Sequence, residues 1–384
     1  MAAPRVLVIG TGEYVTGLVH GSSSMSDKSL GIVALTLFDL REKGHVSEII
    51  LAGNHGEKFP LVRSYFDEMI AKIYGLDCSF ISYPPDNTSN PKAWLQALES
   101  LHFGDCVIIF TPDDLHFEMA EAAARRGLHV LVAKPIVKTK AEHDALIDVA
   151  REQEVTIAVE VHKRWDPVYA DARTRLRNLG DLSYFTSYMS QPKSQMESFR
   201  AWAGKSSDIS YYLNTHHIDF HCWTMEGLGW PVSVMASSSN GVAEGFGLPA
   251  EDSITLMVDW ENNSGTHATA VYTAAWMAAK AEVHSQQRFF ALHHEGEVRV
   301  DQAHRGYDLA TDDSGYQSPK PLFFRTTPDD QGRFAGQSSY GYQSIADFIL
   351  GKRDHLALIE DTRTTTAILE AGRRSLDEGK RVVL

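Results

Sequence analysis

The sequence predicts an α/β protein in two parts: a doubly wound parallel sheet, then an α+β domain built on a large, mostly antiparallel open sheet. Three observations carry this. Short apolar runs alternate with helical stretches from residue 5 to residue 161. Strand-length segments then succeed one another to residue 301 with few helices between them. The chain has 384 residues, too long for one ordinary core and comfortable for two. The expected division is 1–160 and 161–384.

Arg5-Val6-Leu7-Val8-Ile9 is an apolar run ended by glycine, as in a strand buried on both faces of a parallel sheet. From Gly12 to Gly44 the pattern is helical, with a serine-rich interruption from Gly21 to Ser29. Glu48 to Ala52 reads as the second strand, followed by the turn Gly53-Asn54-His55-Gly56. Pro60 to Tyr74 and Pro91 to Ser100 read as helices, with a short strand at Ser79 to Tyr83 between them. Asp105 to Phe110, His129 to Val132 and Thr156 to Val161 are further strands. Helices at Leu115 to Arg126 and Ala141 to Gln153 separate them, the first stopped by Gly127, a residue suited to a left-handed cap. Such alternation defines a doubly wound sheet. In the second part, strands are expected at Leu182 to Met189, Val232 to Ser238, Ser253 to Trp260, Thr266 to Ala274, Gln287 to His293 and Glu297 to Asp301. Asp361 to Gly379 is an amphipathic helix.

Composition narrows the function. Hydrophobic residues make up 43% and charged residues 22%, the balance of a globular protein. The net charge of −14 disfavours nucleic acid and anionic membrane, since phosphate binding needs a basic stripe. Cys78, Cys106 and Cys222 are too scattered for a disulfide framework and suit a reducing compartment. The apolar strand begins at Arg5 with no signal peptide before it, and no apolar run reaches the roughly 20 residues of a membrane helix. A cytoplasmic protein is expected. His217 and His221, with Cys222 beside them, have metal-like spacing but lack a convincing third ligand, so no metal is expected.

Gly10-Thr11-Gly12-Glu13-Tyr14-Val15 follows the first strand and opens a helix. Glycines there permit a tight turn and close backbone approach to a pyrophosphate, and the helix start offers free N–H groups. The third glycine of this dinucleotide fingerprint is replaced by Val15, and Gly17 lies two residues on. The end of the second strand selects the cofactor: an acid there bonds the ribose 2′-hydroxyl of NAD. Asn54 and His55 occupy that place, with no carboxylate until Glu57 and with Lys58 and Arg63 nearby. NADPH is therefore the expected cofactor, with NADH as the alternative. A second alignment puts the strand at Ile32 to Phe38 and makes Asp39 the selector, but Leu35 to Gly44 reads better as a helix end. The preferred alignment implies an insertion near Gly21 to Ser29.

Two further motifs end parallel strands: Thr111-Pro112-Asp113-Asp114-Leu115-His116 and Ala133-Lys134-Pro135. Downstream lie His162-Lys163-Arg164-Trp165-Asp166-Pro167, then His216-His217-Ile218-Asp219, and near the end Glu360-Asp361-Thr362-Arg363 and Leu369 to Ser375. In this order the motifs resemble the glucose-fructose oxidoreductase, inositol dehydrogenase and rhizopine catabolism (Gfo/Idh/MocA) family over nearly the whole chain. That family carries T-P-x-x-x-H and then E-K-P, whose lysine is catalytic. The resemblance implies a Rossmann domain in which Thr111, Pro112, His116, Lys134 and Pro135 join the first loop around the cofactor. It also implies a homo-oligomer built through the C-terminal sheet. Two departures stand out. Ala133 replaces the glutamate before the lysine, and in the pattern D-x-G-x-H-x-x-D the first two marked positions are Tyr212 and Asn214. Tyr188 to Gln195 and Ser210 to Asn214 are most similar to the fungal-type D-galacturonate reductases of the family.

Residue chemistry supports a carbonyl reduction. Lys134 can stabilise an alkoxide and share its proton. His216, with an ordinary pKa near 6.5, can shuttle that proton. Tyr212, one helical turn earlier, can position the substrate or join the relay. His116 caps its helix or packs beneath the nicotinamide. Asn214 and Asp219 are candidate sugar ligands, and Lys163, Arg164, Lys193 and Arg200 are candidate partners for a substrate carboxylate. Trp165, Trp202 and Trp276 read as core. The expected activity is NAD(P)H-dependent reduction of a sugar-acid aldehyde, D-galacturonate to L-galactonate being the sharpest form. The alternatives are a dehydrogenase of a neutral aldose or inositol, and a dinucleotide-binding regulator without catalysis.

Overall fold

The computed structural model describes residues 3–19, 21–24, 28–200, 202–279, 285–303 and 339–384, with 306, 308–312, 315–317, 322–323, 326–328, 330–331 and 334–337 between the last two. Six parallel strands form the first sheet: β1 (Arg5–Ile9), β2 (Glu48–Ala52), β3 (Ile81–Tyr83), β4 (Cys106–Ile109), β5 (His129–Ala133) and β6 (Ile157–Glu160). Their order is β3-β2-β1-β4-β5-β6, the doubly wound order of a dinucleotide-binding sheet. Val6, Leu7, Val8, Ile49, Ile50, Val107 and Ile108 are fully buried, because helices cover both faces. The covering helices include α2 (Ile32–Glu42), α3 (Phe59–Phe66), α4 (Ala93–Glu99), α5 (His116–Ala124) and α6 (Lys140–Glu152).

The helix expected from Gly12 is a single turn, α1 (Glu13–Thr16). Gly17 ends it in the left-handed region, and a small hairpin pairs Leu18–Val19 with Ser22–Ser23. The chain re-enters helix at Gly31, where φ is +72° and any Cβ would overlap the carbonyl oxygen of Val15. Close helix approach, the usual task of the missing third glycine, is thus met by Gly31 against the backbone at Val15. The stretch from Gly21 to Ser29, where the spacing implied an insertion, lies between Gly17 and Gly31. Ile32 to Phe38 lies inside α2 and Asp39 is buried there, bonded by Lys43 at 2.7 Å. The second strand is therefore Glu48–Ala52, and the position after it falls to Asn54.

The second sheet has seven strands: β7 (Leu182–Pro192), β8 (Gly229–Ser239), β9 (Ser253–Asn262), β10 (His267–Ala278), β11 (Gln286–His293), β12 (Gly296–Asp301) and β13 (Val382–Val383). Their order is β12-β11-β7-β10-β9-β8-β13, and all pairs are antiparallel except β7 with β10. Alternate residues of β9 and β10 are buried, as in a sheet with one covered face. Val258, Trp260, Tyr272, Phe185 and Phe289 on that face share a core with Ile218 and Phe220 of α8 (Thr215–Met225) and Ile368 of α10 (Arg363–Glu378). Helix α7 (Pro167–Leu176) joins them through Tyr169, and α9 (Tyr340–Gly351) precedes α10.

The cores do not part cleanly at residue 160. Ile345 and Phe348 of α9, with Ala357 and Ile359, belong to the core of the first sheet, as does Trp165. Val159 donates a backbone hydrogen bond to Ala357 at 2.9 Å. Among the described residues, no helix is long and apolar enough to cross a membrane.

Candidate active site

The register places Ile9 opposite both Ala52 and Ile109, and Ala133 opposite Glu160. The loops after β1, β2, β4, β5 and β6 therefore leave from one edge, the carboxyl edge where doubly wound sheets bind ligands. Strand order reverses between β1 and β4, so the loops at Gly10 and Thr111 flank the crevice. Gly10 has φ +117°, and a Cβ on it would overlap the carbonyl oxygen of Phe110. Only glycine lets these loops cross so closely. Tyr14 stacks on Phe110 with ring centroids 5.0 Å apart. Thr11 packs over Gly53 at the end of β2. Gly12 is exposed, with nothing within 4 Å of where its Cβ would stand.

That open cradle, at the start of the first helical turn, fits a pyrophosphate. Because α1 is one turn long, local N–H donors rather than a summed helix dipole supply the attraction. Val15 is buried and structural, and the Glu13 carboxylate accepts a hydrogen bond from Ser24 of the insertion. Asn54 and His55 are exposed at the end of β2, with His55 Nδ1 3.1 Å from Ser89 Oγ. Arg63 is not available to a 2′-phosphate: it holds Asp86 at 2.7 and 2.8 Å and Ser82 at 2.8 Å. Lys58 is exposed.

His116 does not cap its helix. It is fully buried, with Nδ1 2.8 Å from the Pro135 carbonyl oxygen and Nε2 2.9 Å from that of Thr111. It clamps the Thr111-Pro112 loop to the Lys134-Pro135 loop and so fixes the base of the lysine.

The Lys134 ammonium donates to the carbonyl oxygen of Tyr212 and lies 4.1 Å from the centroid of the Tyr212 ring. Burial lowers its pKa to about 8, against the opposing pull of Asp113 and Glu160; Lys28 of the insertion lowers it further. Asp113 accepts from Ser207, and burial raises its pKa. Tyr212 sits in a π-helical turn, Ser210–Asn214, that runs into α8. Phe199, Trp202 and Trp276 surround its ring at centroid distances of 5.0, 5.2 and 5.6 Å. Its hydroxyl accepts from Gln191 Nε2 at 3.3 Å, and burial pushes its pKa up. Tyr212 thus stays protonated as a hydrogen-bonding group.

His216 departs from expectation. Burial, reinforced by Lys134, His162 and Lys163, holds its pKa well below 6.5. It is therefore neutral at pH 7. Its Nδ1 has no hydrogen-bond partner among the described residues, and its ring lies 5.1 Å from that of His162.

Several expected ligands are committed elsewhere. Arg164 and Asp219 are each 1% exposed and form a bidentate pair at 2.7 and 2.9 Å, with Arg164 also donating to Leu356 O at 2.7 Å. Each saturates the other, which removes both from substrate binding. Lys163 is buried against Gln287, Gln302 and the ring of Tyr169. Asn214 is buried, donating to Ser210 Oγ at 3.0 Å and to Ile254 O at 3.4 Å. Lys193 is exposed in the turn after β7, and Arg200 donates to Phe246 O at 2.8 Å. His217 faces Tyr169 Oη at 3.0 Å, and His221 faces Tyr272 Oη at 2.6 Å.

Sequence reasoning missed Asp113, Glu160, His162 and Lys28 as neighbours of Lys134 and His216. An acid at the end of the buried run Ile157 to Glu160 was the available signal for one of them. Lys28 had none, because the insertion carries no periodic pattern.

Fold and site together define a dinucleotide-binding domain joined to a sheet domain, with a lysine at the junction. Residues 4–161 match the model of the GFO_IDH_MocA oxidoreductase family, NAD-binding Rossmann fold. The chain is 29% identical over 188 residues to the uncharacterized oxidoreductase YdgJ of Escherichia coli, an alignment covering 48% of this chain and 50% of that protein. It is 29% identical over 136 residues to the scyllo-inositol 2-dehydrogenase (NADP(+)) IolW of Bacillus subtilis, covering 35% and 37%. These alignments span half or less of the curated relatives. Over the whole chain the fold is that of a scyllo-inositol dehydrogenase from Lactobacillus casei, solved with NAD(H) and scyllo-inositol, at TM-score 0.67, 15% identity and 99% coverage of both chains. A myo-inositol 2-dehydrogenase from Lactobacillus plantarum matches at TM-score 0.69 and 19% identity, covering 100% of this chain and 99% of that one.

Proposed function

We propose that the protein is an NAD(P)-dependent oxidoreductase interconverting an alcohol and a carbonyl on a sugar or polyol. The observation that carries this is Lys134, partly desolvated at the carboxyl edge of the nucleotide-binding sheet with a pKa of about 8. The bound nicotinamide supplies or accepts the hydride. Gly10, Thr11, Gly12, Glu13 and Tyr14 hold the pyrophosphate, and Asn54 and His55 meet the ribose; that ribose pair has no carboxylate, which favours NADPH over NADH. In oxidation, neutral Lys134 takes the hydroxyl proton; in reduction, its ammonium returns a proton to the developing alkoxide. Neutral His216 orients the substrate hydroxyl. The inositol dehydrogenases among the relatives and fold neighbours support a neutral polyol or sugar as substrate.

The sign of the pH dependence follows. Oxidation needs the neutral amine, so its kcat/KM rises with pH through an apparent pKa of about 8. Reduction needs the ammonium and falls through the same value. Rates measured from pH 6 to 10 in both directions, with inositols, aldoses and uronates, test the assignment; a flat profile in both directions refutes it.

A second reading, reduction of a uronate such as D-galacturonate, has one specific support. The positive charge of Lys28 acts on both Lys134 and Tyr212. Lys28→Ala is expected to raise KM for uronates about tenfold while leaving neutral sugars within about twofold. Equal KM changes for both classes exclude this reading. The uncovered face of the second sheet, with Tyr184, Tyr188, Met257, Val271 and Leu292, is the surface we assign to pairing of copies.

A further inference from the structure

Two of the three positions where the family resemblance leads one to expect an acid hold Ala133 and Tyr212; the third holds Asp219. A carboxylate nevertheless reaches the same place from the next strand. Glu160 ends β6 and is the Cα partner of Ala133 in β5. It is 2% exposed. Its Oε1 accepts from Ser344 Oγ at 2.8 Å and from the Tyr14 hydroxyl at 3.5 Å, and its Oε2 lies 3.3 Å from His162 Nδ1. The His162 ring packs against His216 with centroids 5.1 Å apart. Tyr340 stacks on its other side at 5.5 Å, and Phe323 closes the edge at 5.6 Å.

We propose that Glu160 and His162 form the carboxylate–imidazole unit of this site. Glu160 is a positioning residue that fixes the Nδ1–H tautomer of His162, braces His216 through it and, from its place opposite Ala133, supports the ammonium of the next residue, Lys134. A carboxylate this buried is costly unless its charge is used or matched. Hydrogen bonding from Ser344 and Tyr14 alone would serve to dock α9 and α1 on β6, which a neutral side chain does equally well. The contact with His162, and through it with His216, is what reaches the chemistry. The groups facing Lys134 are Asp113 from the β4 loop, Glu160 from β6, Tyr212 and His216 from the π-turn and α8, and Lys28. Those facing Glu160 are Tyr14, Ser344, His162 and Lys134.

The inference rests on Lys134 being the proton carrier of the proposed reaction, but its test requires no turnover. Acylation of Lys134 by a small amine-reactive ester is followed against pH by peptide mass spectrometry on the full chain. Glu160→Gln, isosteric and able to keep the Ser344 bond, is expected to move the labelling midpoint down by about half a pH unit or more. An unmoved midpoint in folded Glu160→Gln overturns the proposal. Should that variant fail to fold, the imidazole nitrogen signals of His162 in the wild type decide, assigned by their loss in His162→Gln. The Nδ1–H tautomer supports the unit, and the Nε2–H tautomer refutes it. Failure of the proposed activity is separately visible, as absence of nicotinamide turnover in wild-type protein whose Lys134 midpoint still answers to Glu160.

Discussion

Lys134→Ala is expected to lower turnover by about 10²–10⁴-fold, the usual worth of a positioned acid or base, while leaving dinucleotide affinity within about threefold. The two halves of this result have separate causes. The ammonium is held by the Tyr212 carbonyl oxygen and ring, inside the second part of the chain, so its loss falls on the reacting group. The pyrophosphate cradle at Gly10 to Tyr14 sits on β1 and does not depend on it. His116, packed between the carbonyl oxygens of Thr111 and Pro135 at 2.9 and 2.8 Å, keeps the loop in place when the side chain is removed. Steady-state kinetics with titration of the dinucleotide by intrinsic fluorescence separates them. Unchanged turnover would remove Lys134 from the chemistry. Lost dinucleotide binding would mean that the lysine builds the cofactor site instead.

Asp219→Ala is expected to destabilise the fold by about 3–5 kcal/mol, the cost of leaving one partner of a buried ion pair uncompensated. Arg164 would remain beside the carbonyl oxygens of Leu356 and Asp361 at 2.7 and 3.4 Å, which bond the guanidinium without neutralising it. The pair joins the segment after β6 to α8 and thus ties the nucleotide half to the helix that carries His216. Replacing Arg164 and Asp219 together with apolar residues of similar volume should recover much of the loss. Exposed Lys193→Ala should stay within about 0.5 kcal/mol of wild type. Denaturant unfolding measures all three. A stable Asp219→Ala with a raised KM would return Asp219 to the substrate.

The contrast between Lys134 and Asp219 shows what could be read from the sequence. Strand ends were legible because a doubly wound sheet writes each buried strand as an apolar run and gathers its ligands at one edge. Gly10, Thr111 and Lys134 meet there as expected. The Asn54 position was legible once the insertion was inferred from spacing. Side chains of the second part were not, because a charged residue reads alike whether it binds a ligand or a neighbour. Arg164 and Asp219 lie 55 residues apart, and no local pattern announces their pairing. The low pKa of His216 is a consequence of burial and of Lys134, His162 and Lys163 arriving from other elements. Helix α9 returning to the first core, and the parallel pairing of β7 with β10, depend on long-range contacts of the same kind.

The most direct test of the account is nicotinamide absorbance, followed with wild-type and Lys134→Ala protein. NADP and NAD, oxidised and reduced, are each paired with inositols, aldoses and uronates. The account predicts turnover by the wild type with at least one of these substrates, a pH limb near 8 in each direction, and its collapse in Lys134→Ala. Dinucleotide binding without turnover on any substrate would contradict it and leave a binding protein in place of an enzyme.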